Sequence, residues 1–86
     1  MPKVTIYTRQ FCPYCSRALS LLKDKKVDLT EIDAGMDAGK KAEMVQRSGG
    51  GRTFPQIFIG DAHIGGCDDM MALERAGKLD ALLAAA

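Results

Sequence analysis

The sequence predicts an α/β fold in which a four-stranded mixed sheet is flanked by helices. Short runs of β-branched and apolar residues alternate with stretches whose apolar residues recur at helical spacing, and glycine or proline marks most of the boundaries. The chain has 86 residues, of which 47% are hydrophobic, and this is enough for a small core without metal or disulfide bridges. We therefore expect a single domain over residues 1–86 that folds alone, as a monomer.

The first strand and the first helix follow one another near the start of the chain. Residues 3–7 are mostly β-branched or apolar and have no clean polar face, which is typical of a central strand. Residues 13–26 place leucine and alanine side chains on one side and charged side chains on the other, as in an amphipathic helix. We expect this helix to end before Val27.

A second strand and a second helix are predicted next. Residues 28–33 alternate polar and apolar and predict the strand, and Asp37 is a suitable N-cap for the helix. Residues 48–51 contain three consecutive glycines, whose backbone freedom ends the helix. The inward face of this helix is predicted to consist of Ala38, Ala42 and Val45, with Met44 adjacent.

A hairpin and two helices complete the chain. Two apolar runs, 53–59 and 62–66, surround a glycine–aspartate turn and predict the hairpin. The acidic pair at 68–69 is predicted to cap a helix over 70–76, which Gly77 ends. A last short helix carries Leu79, Leu82 and Leu83.

The order of these elements determines how the strands pair. A strand, a helix and a strand in succession imply a parallel pair joined by a right-handed crossover. The hairpin then adds two antiparallel strands to the same mixed sheet. The predicted order is β-α-β-α-β-β-α followed by a short C-terminal helix.

The charge pattern excludes two classes of partner. The net charge is +1, and the twelve basic and eleven acidic residues form no long block of like charge, so neither nucleic acid nor a membrane surface is an expected partner. The start of the chain has no apolar signal segment, and no apolar run is long enough to span a bilayer. We therefore expect a cytoplasmic protein, and in a reducing compartment its three cysteines do not predict a disulfide framework.

Cys12-Pro13-Tyr14-Cys15 lies where the first strand meets the first helix. Cys12 is expected at or near the N-cap, where unpaired N–H groups and the helix dipole favour a thiolate. Pro13 at the first helical position loses no hydrogen bond, because an N–H there has no partner within the helix. Two thiols one turn apart predict a redox dithiol in which Cys12 is the nucleophile and Cys15 the resolving thiol.

Two other interpretations of the cysteines are possible. The pair could be packed structural cysteines, although Tyr14 is poorly explained as a core residue at that place. The pair could also form half of a zinc site, for which His63 and Cys67 are the only further candidates. Because their spacing matches no common zinc pattern, no metal site is predicted.

Three motifs together resemble a known family: Cys12-Pro13-Tyr14-Cys15, Thr53-Phe54-Pro55 and Gly65-Gly66-Cys67-Asp68-Asp69. Over nearly its whole length the chain resembles a dithiol glutaredoxin of the bacterial glutaredoxin-3 type. The resemblance implies a thioredoxin fold, glutathione as co-substrate with no tightly bound cofactor, and reduction of protein disulfides and glutathione mixed disulfides. It also implies that glutathione reductase and NADPH recycle the glutathione as separate components.

The resemblance further implies a glutathione site. In it Pro55 is a cis proline facing the dithiol, the backbone of Phe54 pairs with the cysteine of glutathione, and Gly66 allows close backbone approach. The Asp68 carboxylate faces the γ-glutamyl ammonium, while Cys67 has a backbone role and no redox role. The implied binding residues are Arg9, Tyr14, Thr53, Phe54, Pro55, Gly66, Cys67 and Asp68.

The cation that meets the glycine carboxylate of glutathione is left open by the sequence. Arg9 stands where the family usually has lysine, and a cation there favours the Cys12 thiolate as well. Arg47 and Arg52 are further candidates beside the glycine-rich segment. Asp69 is expected to act only as a helix cap, and His63 to lie on the hairpin surface.

Two other functions are weighed against glutathione-dependent reduction. Some relatives with other active-site sequences carry a glutathione-ligated iron–sulfur cluster between two protomers, but they typically have glycine or serine where this chain has Pro13. Thioredoxins have an active-site motif similar to W-C-G-P-C, and this chain contains no tryptophan. The expected function is therefore a glutathione-dependent thiol–disulfide oxidoreductase.

Overall fold

The computed structural model describes residues 2–84, in which four strands and four helices follow one another in the predicted order. Each predicted element is present, and the differences concern where some of them begin and end. The elements are β1 Lys3–Thr8, α1 Pro13–Asp24, β2 Asp28–Asp33, α2 Ala38–Arg47, β3 Gln56–Ile59, β4 Ala62–Gly65, α3 Cys67–Arg75 and α4 Leu79–Ala84.

The strands form one mixed sheet in the order β2-β1-β3-β4. β1 pairs in parallel with β2, and β3 pairs antiparallel with both β1 and β4. The predicted crossover and the predicted hairpin are therefore confirmed. β1 lies inside the sheet and is buried from Val4 to Thr8, as expected for a strand covered on both faces.

Side chains of β1 alternate between two hydrophobic clusters, one on each face of the sheet. Val4 and Ile6 belong to the larger cluster, which α1, α3 and α4 cover. Tyr7 points to the opposite face, where it packs with Phe58 and with Met44 of α2. Each fully buried side chain of this size contributes about 1.5–3 kcal/mol to folding, so the two clusters fix the helices on their respective faces.

The predicted inward face of α2 is wrong in part. Met44 is fully buried and Val45 is half-buried, whereas Ala38 and Ala42 are exposed. Successive helical residues are rotated by about 100°, so Ala42 lies nearly opposite Met44. The longer Met44 side chain reaches the sheet, and the two alanines are left in solvent.

The boundaries of two elements also differ from the prediction. α1 ends at Asp24 rather than at residue 26, because the Lys26 N–H donates to the Lys23 carbonyl, only three residues back, and Lys26 takes a positive φ of 57°. β3 begins at Gln56 rather than at residue 53, since Pro55 has no N–H to donate to the ladder. The predicted N-cap of α2 is confirmed, because the Asp37 carboxylate accepts from the Lys40 N–H.

The start of α3 is a third boundary that differs from the prediction. The helix begins at Cys67, with Gly66 as N-cap, so Asp68 and Asp69 lie inside its first turn rather than before it. Asp69 accepts a hydrogen bond from the Gly66 N–H at 3.0 Å and thereby caps the helix from its third position. Gly77, with φ +71°, follows the helix as predicted. The helices within residues 2–84 are all too short and too polar to cross a membrane.

The packing of α2 through Met44 is testable by substitution. Met44→Ala should lower the free energy of unfolding by about 2–5 kcal/mol, because it removes a fully buried side chain and leaves a cavity. Met36→Ala is the matched control: its side chain is 94% exposed, so its effect should stay within about 0.5 kcal/mol. Urea unfolding measures both, and equal losses would contradict this packing.

Candidate active site

Cys12 caps the N-terminus of α1, as the sequence predicts. Its backbone is extended, with φ −113° and ψ 100°, and Pro13 occupies the first helical position. The Cys15 N–H donates a hydrogen bond to Cys12 Sγ at 3.2 Å. The sulfur therefore receives one of the unpaired N–H groups of the first turn, and this contact favours negative charge on sulfur.

Cys15 lies one turn further into the helix and has a different environment. It is 3% exposed, against 6% for Cys12, and both are free thiols. Burial is the main cause that raises the pKa of Cys15 to about 12, and a hydrogen bond between the two cysteine side chains adds to it. A backbone hydrogen bond from Arg9 opposes the shift. At neutral pH Cys15 is therefore a protonated thiol.

The residues around the dithiol form a shallow depression of about 470 Å³. Arg9 is part of its lining, together with Cys12 and Cys15. The Arg9 side chain is exposed, and its guanidinium donates to the Gln10 carbonyl at 3.2 Å. Phe11, directly before Cys12, has a positive φ of 55° and a side chain that is 93% exposed, and no pattern in the sequence indicated this.

A second groove, of about 330 Å³, contains seven of the eight predicted glutathione-binding residues. The exception is Arg9, which lines the depression around the dithiol instead. The Phe54–Pro55 peptide bond is cis, as the resemblance implies. Tyr14, which lies between the two cysteines in the sequence and is 57% exposed, connects the dithiol to this groove. The seven residues are Tyr14, Thr53, Phe54, Pro55, Gly66, Cys67 and Asp68.

The N-terminus of α3 forms one wall of the groove. Cys67 and Asp68 are its first two residues, and N–H groups at these positions have no partner within the helix. The Cys67 side chain belongs to the larger hydrophobic cluster, and burial raises the pKa of its thiol. The Asp68 side chain is exposed at the groove. This end of α3 can accept a carboxylate through backbone N–H groups and a cation through Asp68.

The other two candidate arginines lie elsewhere. Arg47 donates to the Tyr7 hydroxyl at 2.8 Å, and its guanidinium lies 4.5 Å from the centre of the Phe58 ring. Arg52 lines a third depression beside α2, with Lys41 and Val45. Of the three candidate arginines, Arg9 is the one that lines the depression around the dithiol.

Gln56 and His63 line the groove as well, and sequence reasoning assigned them no part in it. Their signal in the sequence is weak: each is a polar residue within an apolar hairpin run. His63 is exposed, as expected, and its ring stacks on Phe58 with centroids 4.9 Å apart. Within residues 2–84 no three side chains of histidine, cysteine, aspartate or glutamate lie close enough together to hold a metal ion.

The chain is similar to known proteins of one family. The glutaredoxin family model matches residues 4–64. The chain is 56% identical to a glutaredoxin of Pseudomonas aeruginosa over 85 residues, covering 99% of this chain and 100% of that protein. It is 52% identical to glutaredoxin 3 of Escherichia coli over 83 residues, covering 96% and 99%.

A solved structure extends the comparison to three dimensions. The crystal structure of a buckwheat glutaredoxin–glutathione complex matches with a TM-score of 0.83 and 33% identity, covering 95% of this chain and 76% of that one. The four-stranded mixed sheet with flanking helices is thus the thioredoxin-like fold that the resemblance implies.

The different environments of the thiols predict a fixed order of alkylation. In the reduced protein at pH 8, iodoacetamide should modify Cys12 first, because Cys15, whose pKa is raised to about 12, is protonated at that pH. Cys67 should react slowly too, since burial raises its pKa and covers the sulfur. Peptide mapping by mass spectrometry gives the order. In 8 M urea the three should react alike, and equal rates in the folded protein would contradict the assignment.

Proposed function

The chain belongs to the glutaredoxin family, a family of thiol oxidoreductases, and we propose that it reduces protein disulfides and glutathione mixed disulfides with glutathione as the electron donor. The observation that carries the proposal is the contact between the Cys15 N–H and Cys12 Sγ at 3.2 Å, beside a groove of tripeptide size. A sulfur held in this way is a nucleophile, and the groove can orient the thiol compound that it attacks.

In the proposed first step, the Cys12 thiolate attacks the glutathione sulfur of a glutathionylated protein. A bond forms between Cys12 Sγ and that sulfur, the original S–S bond breaks, and the protein leaves as a thiolate that takes a proton from water. A second glutathione thiolate then attacks the same glutathione sulfur. Oxidised glutathione leaves, and Cys12 returns as a thiolate.

Protein disulfides require the second thiol. Cys12 attacks one sulfur of the substrate disulfide, and Cys15 then attacks Cys12 Sγ, so that the substrate leaves reduced and a Cys12–Cys15 disulfide forms. Burial is the main cause of the raised pKa of Cys15, and two further effects add to it: the hydrogen bond between the two cysteine side chains and the negative charge of Cys12. Both effects end when Cys12 enters the mixed disulfide, so Cys15 ionises more easily at the step that needs its thiolate. Two glutathione molecules then reduce the Cys12–Cys15 disulfide and leave as oxidised glutathione.

The groove supports glutathione as the ligand. Phe54 lies outside the strands, so its backbone can pair with the backbone of a bound peptide, and the exposed Asp68 can face its α-ammonium group. The buckwheat relative is solved as a glutathione complex. In this proposal Tyr14, Thr53 and Pro55 form the wall nearest the dithiol, and Gly66 and Cys67 contribute backbone.

The cellular setting follows from the proposed chemistry. A glutathione-dependent reductase with free thiols suits the reducing cytoplasm, where glutathione reductase and NADPH regenerate the donor as separate components. We propose that residues 1–86 act as one monomeric domain whose partners are glutathione and oxidised proteins. No tightly bound cofactor takes part in this mechanism.

Substitution of each cysteine separates the two routes. Cys12→Ser should abolish both activities, since it removes the nucleophile, whereas Cys15→Ser should keep deglutathionylation and lose most protein-disulfide reduction. An assay coupled to glutathione, glutathione reductase and NADPH measures both. Equal loss of deglutathionylation in the two variants would contradict the roles. A visible absorption band after anaerobic purification, absent in Cys12→Ser, would point to an iron–sulfur carrier instead.

Asp68 is the test of glutathione recognition. Asp68→Asn keeps the shape but removes the charge, and because the side chain is exposed, the Michaelis constant for a glutathionylated substrate should rise only about three- to tenfold. A mixed-disulfide substrate without the γ-glutamyl group should show no change. Asp69→Asn is the matched control, since asparagine still accepts from the Gly66 N–H. An unchanged constant in Asp68→Asn would mean that this carboxylate does not meet the ligand.

A further inference from the structure

Gln56 is a buried polar residue with every arm of its side chain engaged. It is the first residue of β3 and is 4% exposed. Its amide nitrogen donates to the Thr53 carbonyl at 3.1 Å and lies 3.2 Å from the Thr53 hydroxyl oxygen. Its amide oxygen lies 2.6 Å from Nε2 of His63 on the neighbouring strand β4. The side chain therefore links β4 to the segment that precedes the cis Phe54–Pro55 bond.

The partners determine which way the amide points. The Thr53 carbonyl can only accept a hydrogen bond, so the nitrogen of the Gln56 amide must face it. The amide oxygen then faces His63, which must carry a proton on Nε2 to donate to it. Both neutral histidine with the proton on Nε2 and the imidazolium satisfy this contact.

The surroundings leave the Gln56 side chain little room to move. A Cβ atom at Gly51 would lie 2.9 Å from the amide nitrogen and 2.7 Å from the Ser48 hydroxyl, so a side chain there would displace one or both groups. The Gly51 N–H donates to that hydroxyl at 2.8 Å. On the other side, the His63 ring is held by stacking on Phe58. The link is thus supported at both ends before any ligand is present.

We propose that Gln56 and His63 are positioning residues for glutathione, an inference that rests on the proposed function. Thr53, Gln56 and His63 line the same groove, and holding Thr53 fixes where the backbone groups of Phe54 point. A segment that is already in its binding geometry loses less conformational entropy on binding. His63 acts through Gln56, because its hydrogen bond holds the amide that in turn holds Thr53.

Binding of S-methylglutathione, which has no free thiol and so binds without reacting, tests this inference. Gln56→Met has a similar shape but no donor, so the dissociation constant measured by NMR titration should rise about tenfold. His63→Phe keeps a ring against Phe58 and loses the donor, and should raise the constant about three- to fivefold. His63→Gln restores a donor and should bind within about twofold of the unsubstituted protein.

Two comparisons separate positioning from general damage. The double variant, Gln56→Met with His63→Phe, should bind no more weakly than Gln56→Met alone, because His63 acts through Gln56. Gln46→Met, on the exposed surface of α2, is the matched control and should bind like the unsubstituted protein. Thermal unfolding checks that each variant is folded. His63 is exposed, so its variants keep the test available if Gln56→Met does not fold.

Three other outcomes would contradict the proposal in different ways. Unchanged binding in both Gln56→Met and His63→Phe would overturn the positioning role while leaving the proposed function intact. Fully additive losses in the double variant would overturn the claim that His63 acts through Gln56. Failure of the unsubstituted protein to bind S-methylglutathione would contradict the proposed function and this inference together.

Discussion

The hydrogen bond from the Cys15 N–H to Cys12 Sγ is the contact on which the rest of the site depends. It gives one N–H group at the start of α1 a hydrogen-bond partner. It also places the partial positive charge of that group beside the Cys12 sulfur. The two thiols differ as well, because burial first, and then the neighbouring Cys12 side chain, raise the pKa of Cys15 and keep it protonated. The cysteine that caps the helix is therefore the nucleophile, and Cys15 stays protonated until Cys12 has reacted.

The sheet explains why this cap lies beside a groove. β1 is an inner strand buried on both faces, and the loop over residues 9–12 leads from its C-terminal end to α1 at the dithiol. β3 pairs with β1, and the segment before it, with Phe54 and Pro55, forms one wall of the groove. α3 starts immediately after β4 and forms another wall. Three separate stretches of chain thus meet beside the N-terminus of α1.

The sequence allowed the elements and most of the site to be predicted, but not their details. Patterns of alternation and glycine positions located every strand and helix, and the three motifs located seven groove residues. The inward face of α2 was predicted only in part, because a single long side chain, Met44, outweighs two small ones that periodicity counts equally. The link from Gln56 to Thr53 depends on a cross-strand neighbour, His63, whose register no local pattern encodes.

The central claim is that Cys12 alone receives the substrate sulfur. The most direct measurement is to incubate reduced Cys15→Ser with oxidised glutathione, digest it without reductant, and locate the added glutathione by mass spectrometry. The account predicts one glutathione per chain, on Cys12, because that sulfur is held at the start of α1 while Cys67 is buried in the core. Glutathione on Cys67, or shared equally between the two cysteines, would contradict it.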